Sequence, residues 1–266
     1  MALQDITLGQ YFPTESPVHR LDPRTKLITV LILMTLLMIS FTWWIYLLFA
    51  LLLIVTIKLA RIPTSTVTRN LKPFLWLFLV TFFLNLWYKY GHVLVTIPII
   101  GLNITDAGLS RALFYTSRMI LLILFASLLT LTTSPMEITD GLAKLLSPLR
   151  HLKVPVQEFA MMMTIAIRFI PLLLEEAERI RKAQMTRGAS LEGNLVQRLK
   201  GLIPLILPLF LSAFRKADEL ALAMEARCYR LDKRRTSYNI LKFSTTDYAL
   251  IAGSLCLLFV QIITGS

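Results

Sequence analysis

The chain has 266 residues, of which 56% are hydrophobic, and its mean hydropathy is +0.66. Soluble domains are usually about 45–50% apolar, so this composition favours a membrane protein with several spans over a soluble enzyme. The net charge of +12 does not require nucleic-acid binding, because the placement of the charges follows a predicted membrane topology.

Five apolar segments are candidates for membrane-spanning helices, which need about 20 residues, or fewer where they are buried. They lie at residues 27–40, 43–57, 74–87, 113–132 and 249–263. We predict an all-α fold, with a polytopic helical membrane domain and a cytosolic coupling domain of long amphipathic helices. The predicted order is a leader at 1–26, four spans within 27–133, the coupling domain at 134–242 and a final span within 243–266.

Basic residues predict the orientation of these spans. One short loop carries four cations and no acid: Lys58, Arg61, Arg69 and Lys72. The positive-inside rule then places the N-terminus, this loop and residues 134–242 in the cytosol. The turn at 41–44, the loop at 88–110 and the C-terminus face outward. A bacterial plasma membrane is the simplest location for such a multi-pass protein.

Two polar features flank the spans. Asp22 is a predicted N-cap for a helix whose first residue is Pro23, where a missing N–H costs no hydrogen bond. Arg118 lies near the start of the fourth span. Because it is close to the membrane surface, we expect its side chain to extend back to the interface.

The predicted coupling domain begins with three helix-start patterns, at Ser134-Pro135, Ser147-Pro148 and Val154-Pro155. An amphipathic helix follows from Val156 toward Thr186. A second long pattern begins near Leu195, and its prolines at 204 and 208 are expected to break or kink it. Three small residues in its regular part recur every fourth position, a spacing that allows two helices to cross closely: Ala213, Ala217 and Ala221.

Each long pattern ends in a similar motif, AQMTRG at 183–188 and AMEARC at 223–228. A lone Arg at a helix end is usually a complement to the helix dipole. Two such ends in succession instead predict docking, since Arg can form bidentate bonds with a partner's carboxylate. The predicted docking residues are small side chains around two arginines: Thr186, Arg187, Gly188, Ala226, Arg227 and Cys228.

Methionines form a second candidate surface, at Met161, Met162 and Met163. Methionine adapts to varied partners, although the same run also suits a helix core at the membrane edge. No catalytic, metal or cofactor site is predicted. The three histidines are scattered along the chain, the two cysteines lie outside any CxxC motif, and no GxxxxGK[ST] loop is present.

Nearly the whole chain resembles the T components of energy-coupling-factor transporters. The resemblance rests on the leader at 16–27, the two Arg motifs and the order of spans. This resemblance implies a non-catalytic membrane subunit. It also implies two partner ABC-type ATPases, which hydrolyse ATP and bind the Arg187 and Arg227 ends. A membrane S component that captures a vitamin or metal ion is the third implied partner.

This chain departs from the family pattern at two docking positions. Thr186 stands where the family commonly has Ala, and Cys228 where it commonly has Gly or Ser. Both residues are small, so we expect docking to be retained. The cysteine also argues against a need for the backbone freedom of glycine at position 228.

An alternative interpretation is a self-sufficient secondary transporter or channel with a cytosolic regulatory domain. Such a protein would place polar or charged residues along a pathway at mid-membrane. The first, second and fifth predicted spans have almost none. A membrane enzyme would need clustered His or acidic ligands near the interface, and the sequence has no such cluster.

Overall fold

The computed structural model describes residues 11–87, 93–97, 102–188, 195–229 and 243–264. These residues form two compact units, the first within Gly9–Gly141 and Leu241–Ser266 and the second within Leu142–Ile240. Helices dominate both units, which confirms the all-α prediction. One short antiparallel hairpin, Val93–Ile97 paired with Leu102–Thr105, lies in the predicted outer loop. Residues 88–92 and 98–101 of that loop lie outside the described part of the chain.

The first unit contains most of the apolar helices. In chain order, its helices and strands are α1 (Pro23–Ile39), α2 (Trp43–Ala60), α3 (Thr64–Leu71), a 3₁₀ turn (Lys72–Phe74), α4 (Leu75–Leu86), β1 (Val93–Ile97), β2 (Leu102–Thr105), α5 (Asp106–Thr132) and α9 (Thr245–Thr264). Helix α5 packs against α1, α2 and α4, and α9 packs on α1. The core between α1, α2 and α5 includes Leu37, Phe49 and Phe125, which are at most 3% exposed.

Residues of the leader and of the first turn of α1 join the ends of three helices through polar contacts. Asp22 caps α1 as predicted, because its Oδ1 accepts the Arg24 N–H at 2.9 Å. Its own N–H donates to Oδ1 of Asp247 in the first turn of α9, at 3.2 Å. The Lys26 Nζ donates to the carbonyls of His19 and Thr132, each at 3.0 Å. The leader thus links the starts of α1 and α9 to the end of α5.

Arg118 is buried within the chain and bonds to the turn between α1 and α2, so its extension to the membrane interface stays a prediction. Its side chain is buried, with Nε donating to the Tyr46 hydroxyl at 2.7 Å and Nη2 to the Ser40 carbonyl at 2.6 Å. The guanidinium also lies 5.0 Å from the Phe41 ring centre and 5.4 Å from that of Phe114. These partners surround the turn between α1 and α2. A nearby carbonyl, hydroxyl and ring faces satisfy the cation without exposing it to water.

The second unit contains α7 (Val156–Thr186) and α8 (Leu195–Ala226), preceded by a 3₁₀ turn at Ser147–Leu152. Helix α6 (Pro135–Leu145) leads into it. A reciprocal cap starts α6, in which the Ser134 N–H donates to Glu137 Oε2 at 3.1 Å and the Glu137 N–H to Ser134 Oγ at 3.3 Å. All three predicted helix starts are therefore present. The prolines do not end the long helices, because Pro171 lies within α7 and Pro204 and Pro208 lie within α8.

Four of the described helical stretches are long and apolar enough to cross a membrane: Trp43–Ala60, Thr64–Leu86, Asp106–Thr132 and Val156–Thr186. The first three correspond to predicted spans. The fourth is α7, which we predicted to belong to the coupling domain because its second half is charged. Its first half is apolar, and Phe159, Met162 and Met163 are at least 50% exposed there. Helix α7 therefore combines an apolar half with a charged half.

Candidate docking surface at two arginine-tipped helix ends

Helix α7 ends at the first Arg motif in a defined cap. Arg187 is the C-cap, and its N–H reaches the carbonyl of Gln184 at 3.1 Å. Gly188 follows in the left-handed region, with a φ of 88°, and donates its N–H to the Met185 carbonyl at 3.0 Å. The Thr186 hydroxyl donates to the Ala183 carbonyl at 2.8 Å. The backbone thus turns sharply immediately after Arg187.

Helix α8 ends in the same way. Cys228 occupies the left-handed region with a φ of 56°, and its N–H donates to the Glu225 carbonyl at 2.8 Å. The Tyr229 N–H then reaches the Met224 carbonyl at 3.0 Å. This pair of bonds is a Schellman motif, for which glycine is the preferred residue. The expectation that position 228 needs no glycine-like backbone was wrong, because Cys228 adopts the conformation that Gly188 adopts in α7.

The two motifs lie at opposite ends of an antiparallel helix pair. The Tyr229 hydroxyl, just past α8, lies 2.6 Å from the sulfur of Met161 near the start of α7. Midway along the pair, Lys216 of α8 lies 3.7 Å from a carboxylate oxygen of Glu176 of α7. The helical stretch from Met161 to Arg187 rises about 1.5 Å per residue, which separates Arg187 from the Arg227 end by about 40 Å. Each arginine therefore presents a separate surface.

Both arginines are exposed and have no ion-pair partner among the described residues. Two other arginines of α7 differ from them in this respect. Arg179 lies 3.9 Å from Glu176, and Arg181 lies 3.2 Å from Glu178. Small exposed residues flank both arginines in the sequence, namely Thr186, Gly188, Ala226 and Cys228. A partner's carboxylate could thus reach either Arg without displacing an internal contact.

The remaining predicted residues lie on the same two helices. Ala213 is half-buried, whereas Ala217 and Ala221 are exposed, so most of the alanine row lies on the open side of α8. Helix crossing through this row stays a prediction. Met161 is half-buried against Tyr229, and Met162 and Met163 are exposed.

Exposed apolar side chains also lie along α8. They recur at every third or fourth position, a spacing that can be read from the sequence. Phe210 and Phe214 are 57% and 55% exposed, and their ring centres are 4.5 Å apart. Nearby Ile203 and Leu207 are also more than 60% exposed. The sequence alone predicted no partner for these side chains.

Comparison with known proteins places this architecture in a family. The sequence model of the CbiQ family, described as a cobalt transport protein, matches residues 14–238. Proteins named energy-coupling factor transporter transmembrane protein EcfT are similar over nearly their whole length. The relative from Heliobacterium modesticaldum is 50% identical over 93% of this chain and 93% of its own. The chain belongs to the T-component family of energy-coupling-factor transporters.

Other T components support the assignment at similar coverage. The protein from Ruminiclostridium cellulolyticum is 46% identical over 94% of this chain and 93% of its own. The Bacillus subtilis protein is 42% identical over 96% of both chains. The family resemblance predicted from the leader, the Arg motifs and the order of spans is therefore confirmed. A T component is a transmembrane subunit of a transporter and is not itself a catalytic subunit.

Proposed function

We propose that this T component mechanically couples two ABC-type ATPase subunits to a substrate-binding S component in the membrane. The ATPases bind the ends of α7 and α8 through Arg187 and Arg227. ATP binding and hydrolysis by these partners move the two helix ends, and the helices pass that movement to the S component. Residues 134–242 and the N-terminus then face the cytosol, and the C-terminus faces outward.

The observation that carries this proposal is the repeated geometry of the two helix ends. Each presents an exposed Arg at a C-cap, followed by a residue in the left-handed region. Neither Arg has an ion-pair partner among the described residues, whereas Arg179 of α7 lies beside Glu176. Because the ends are about 40 Å apart along the helix pair, they suit two partner subunits better than one.

Exposed apolar side chains support the S-component part of the proposal. On α7 they include Phe159, Met162 and Met163, and on α8 they include Phe210 and Phe214. Large exposed apolar surfaces commonly mark membrane or protein contacts. We assign this surface to an S component that captures a vitamin or metal ion, with methionines that adapt to different S components.

Replacement of both arginines by alanine tests the docking role. We expect each single replacement to weaken ATPase binding by about 2–5 kcal/mol, because a charge in the partner's groove loses its counterpart. The double replacement should abolish both ATPase recovery and transport. ATPase retention on the purified membrane complex and uptake in cells are the measurements.

Arg179→Ala is the matched control, since it removes an exposed Arg from α7 away from the helix end. It should retain both ATPases. If the double variant retains its ATPases and transports normally, the arginines do not dock them. If the unaltered chain purifies without any ATPase under mild conditions, the alternative of a self-sufficient transporter or channel is favoured.

Polar replacements at Met162 and Met163 test the S-component surface. Met162→Gln and Met163→Gln keep the length of the side chain and remove its apolar character. We expect uptake through some S components to fall more than uptake through others, because each presents a different contact face. Equal, unaltered uptake through every S component would contradict the assignment while leaving ATPase docking intact.

A further inference from the structure

A groove in the first unit combines an exposed cation with apolar side chains. It has a volume of about 580 Å³ and lies between the segment of α3 with its 3₁₀ turn and the second half of α5. Arg69 and Phe74 line it from the first segment, and Ile123 and Ala126 line it from α5. The groove therefore suits a ligand that is itself part anionic and part apolar.

Contacts between the two walls hold this groove open without a ligand. Helix α3 packs on α5, and its Val67 is only 6% exposed. The Asn70 Nδ2 donates to the Ser127 Oγ at 2.7 Å, and both residues line the groove. None of these contacts uses Arg69, whose side chain is exposed. The guanidinium is therefore accessible to a ligand in the groove.

The charges around the groove are all positive. Arg69 belongs to the basic loop described above, and its other cations, Lys58, Arg61 and Lys72, are also exposed. None of the four has an ion-pair partner in the part of the chain that the structure describes. Residues 58–105 and 107–136 contain no Asp or Glu. An anion beside Arg69 would therefore meet no carboxylate on the helices that form the groove.

The position of the groove favours a lipid over a soluble anion. Thr64–Leu86 and Asp106–Thr132 are both long and apolar enough to cross a membrane. The groove lies near the beginning of the first stretch and near the end of the second. Directly after the groove residues of the 3₁₀ turn, Leu75 and Trp76 are 56% and 75% exposed. This change from cations to open apolar side chains matches the change from phosphate to hydrocarbon in a bilayer.

We propose that this groove binds one anionic phospholipid. The Arg69 guanidinium pairs with the lipid phosphate through parallel N–H···O bonds, and an acyl chain lies along Phe74, Ile123 and Ala126. A zwitterionic lipid binds less well, because its ammonium group meets the cations of the loop and finds no carboxylate. The site does not depend on ATPase docking at the ends of α7 and α8.

Photo-cross-linking of the full chain in phosphatidylcholine vesicles tests the proposal. The vesicles contain a small fraction of phosphatidylglycerol with a diazirine in its acyl chain, and labelled peptides are located by mass spectrometry. We expect labelling of the α5 wall at Ile123 and Ala126. Unlabelled phosphatidylglycerol should compete for this labelling, whereas additional phosphatidylcholine should not.

Arg69→Gln removes the charge and keeps a hydrogen-bonding side chain. It should weaken labelling of the groove about fivefold, the effect expected for one cation near an anionic membrane surface. Arg69→Lys keeps the charge and should retain most of the labelling. Lys58→Gln is the matched control, because it removes an equal charge from the same loop at a residue that does not line the groove. It should leave the labelling nearly unchanged.

A second variant changes the shape of the groove and leaves its charge intact. Ala126→Leu adds bulk to the apolar wall and should reduce labelling at Ile123 while Arg69 is still present. Since Ala126 is exposed, the larger side chain should not lower the heat stability of the chain. Thermal unfolding of each variant checks that the fold is retained.

Three results would overturn the proposal. Equal labelling by phosphatidylglycerol and phosphatidylcholine probes would show that the groove does not select an anionic headgroup. Equal losses in Lys58→Gln and Arg69→Gln would show a diffuse attraction to the basic loop in place of a site. Capture of a second protein by a photoreactive amino acid at position 126 in cell membranes would show that a protein occupies the groove.

Discussion

Arginines in the two units of the chain have opposite surroundings. In the first unit, Arg118 is buried and bonded to the Ser40 carbonyl and the Tyr46 hydroxyl. In the second, Arg187 and Arg227 stand at exposed helix ends without an ion pair among the described residues. Arginine therefore stabilises a turn in the first unit, whereas on α7 and α8 it remains open to a partner.

Arg118→Met is expected to have the largest effect on stability. It removes the donor to the Tyr46 hydroxyl and one of two donors to the Ser40 carbonyl, which keeps the Tyr46 O–H at 3.3 Å. It should lower the free energy of unfolding by about 2–5 kcal/mol. Arg187→Met should change it by about 0.5 kcal/mol or less, as usual for an exposed site. Denaturant unfolding of both variants in detergent measures the difference, and equal losses would remove the contrast between the two arginines.

The sequence predicted most of the helices because their signals are local. The Asp22 cap, the Ser134–Glu137 cap and the Val156 start each depend on residues a few positions apart. The environment of Arg118 could not be predicted in this way, since its partners precede it by more than 70 residues. Its two partners lie on other segments, and only packing brings them together.

The sequence suggested residues for the candidate site but could not give their geometry. The motifs identified Arg187 and Arg227, and glycine at 188 indicated a helix end. Sequence alone could not show that Cys228 adopts a positive φ, because cysteine rarely does so. The antiparallel pairing also depends on long-range contacts, such as that between Lys216 and Glu176.

Changes at the two caps should have smaller and opposite effects. Gly188→Ala places a Cβ in the left-handed region and should destabilise the end of α7 by about 1 kcal/mol, whereas Cys228→Gly should stabilise the end of α8 by a similar amount. Hydrogen exchange of amides in the last turn of each helix measures both effects.

Ala226→Gly is the matched control for the α8 cap. It places a glycine two residues before Cys228, at the last residue of α8, where backbone flexibility weakens the helix. Faster exchange is therefore expected in this variant. If Cys228→Gly also accelerates exchange, the positive φ of Cys228 carries no cost, and the two caps are not equivalent.

The smallest expected effect concerns pH and the leader of the first unit. Burial, with a further contribution from the Lys26 charge, lowers the pKa of His19. The unfolded chain, with a histidine pKa of about 6.5, therefore binds a proton more readily than the folded chain. Stability should be highest above this pH and fall as the pH drops through it.

His19→Gln removes this titration while keeping a polar side chain. Thermal unfolding at pH 8 and pH 5.5 should show a larger loss for the unaltered chain than for the variant. ATPase docking at the Arg-tipped ends should respond equally to pH in both proteins. A variant that loses as much heat stability as the unaltered chain would show that His19 is not the responsible group.

Prolines inside α7 and α8 divide each helix into two segments. Pro171 in α7 and Pro208 in α8 lack the N–H that would bond one turn back. In each helix, an uninterrupted helical segment of roughly 25 Å separates the proline from the arginine. A bend of about 10° at the proline would therefore displace the guanidinium by about 4 Å. A bend at either proline would therefore displace the arginine at the end of that helix without sliding one helix along the other. Under the proposed function, this is the movement that a bound ATPase would drive.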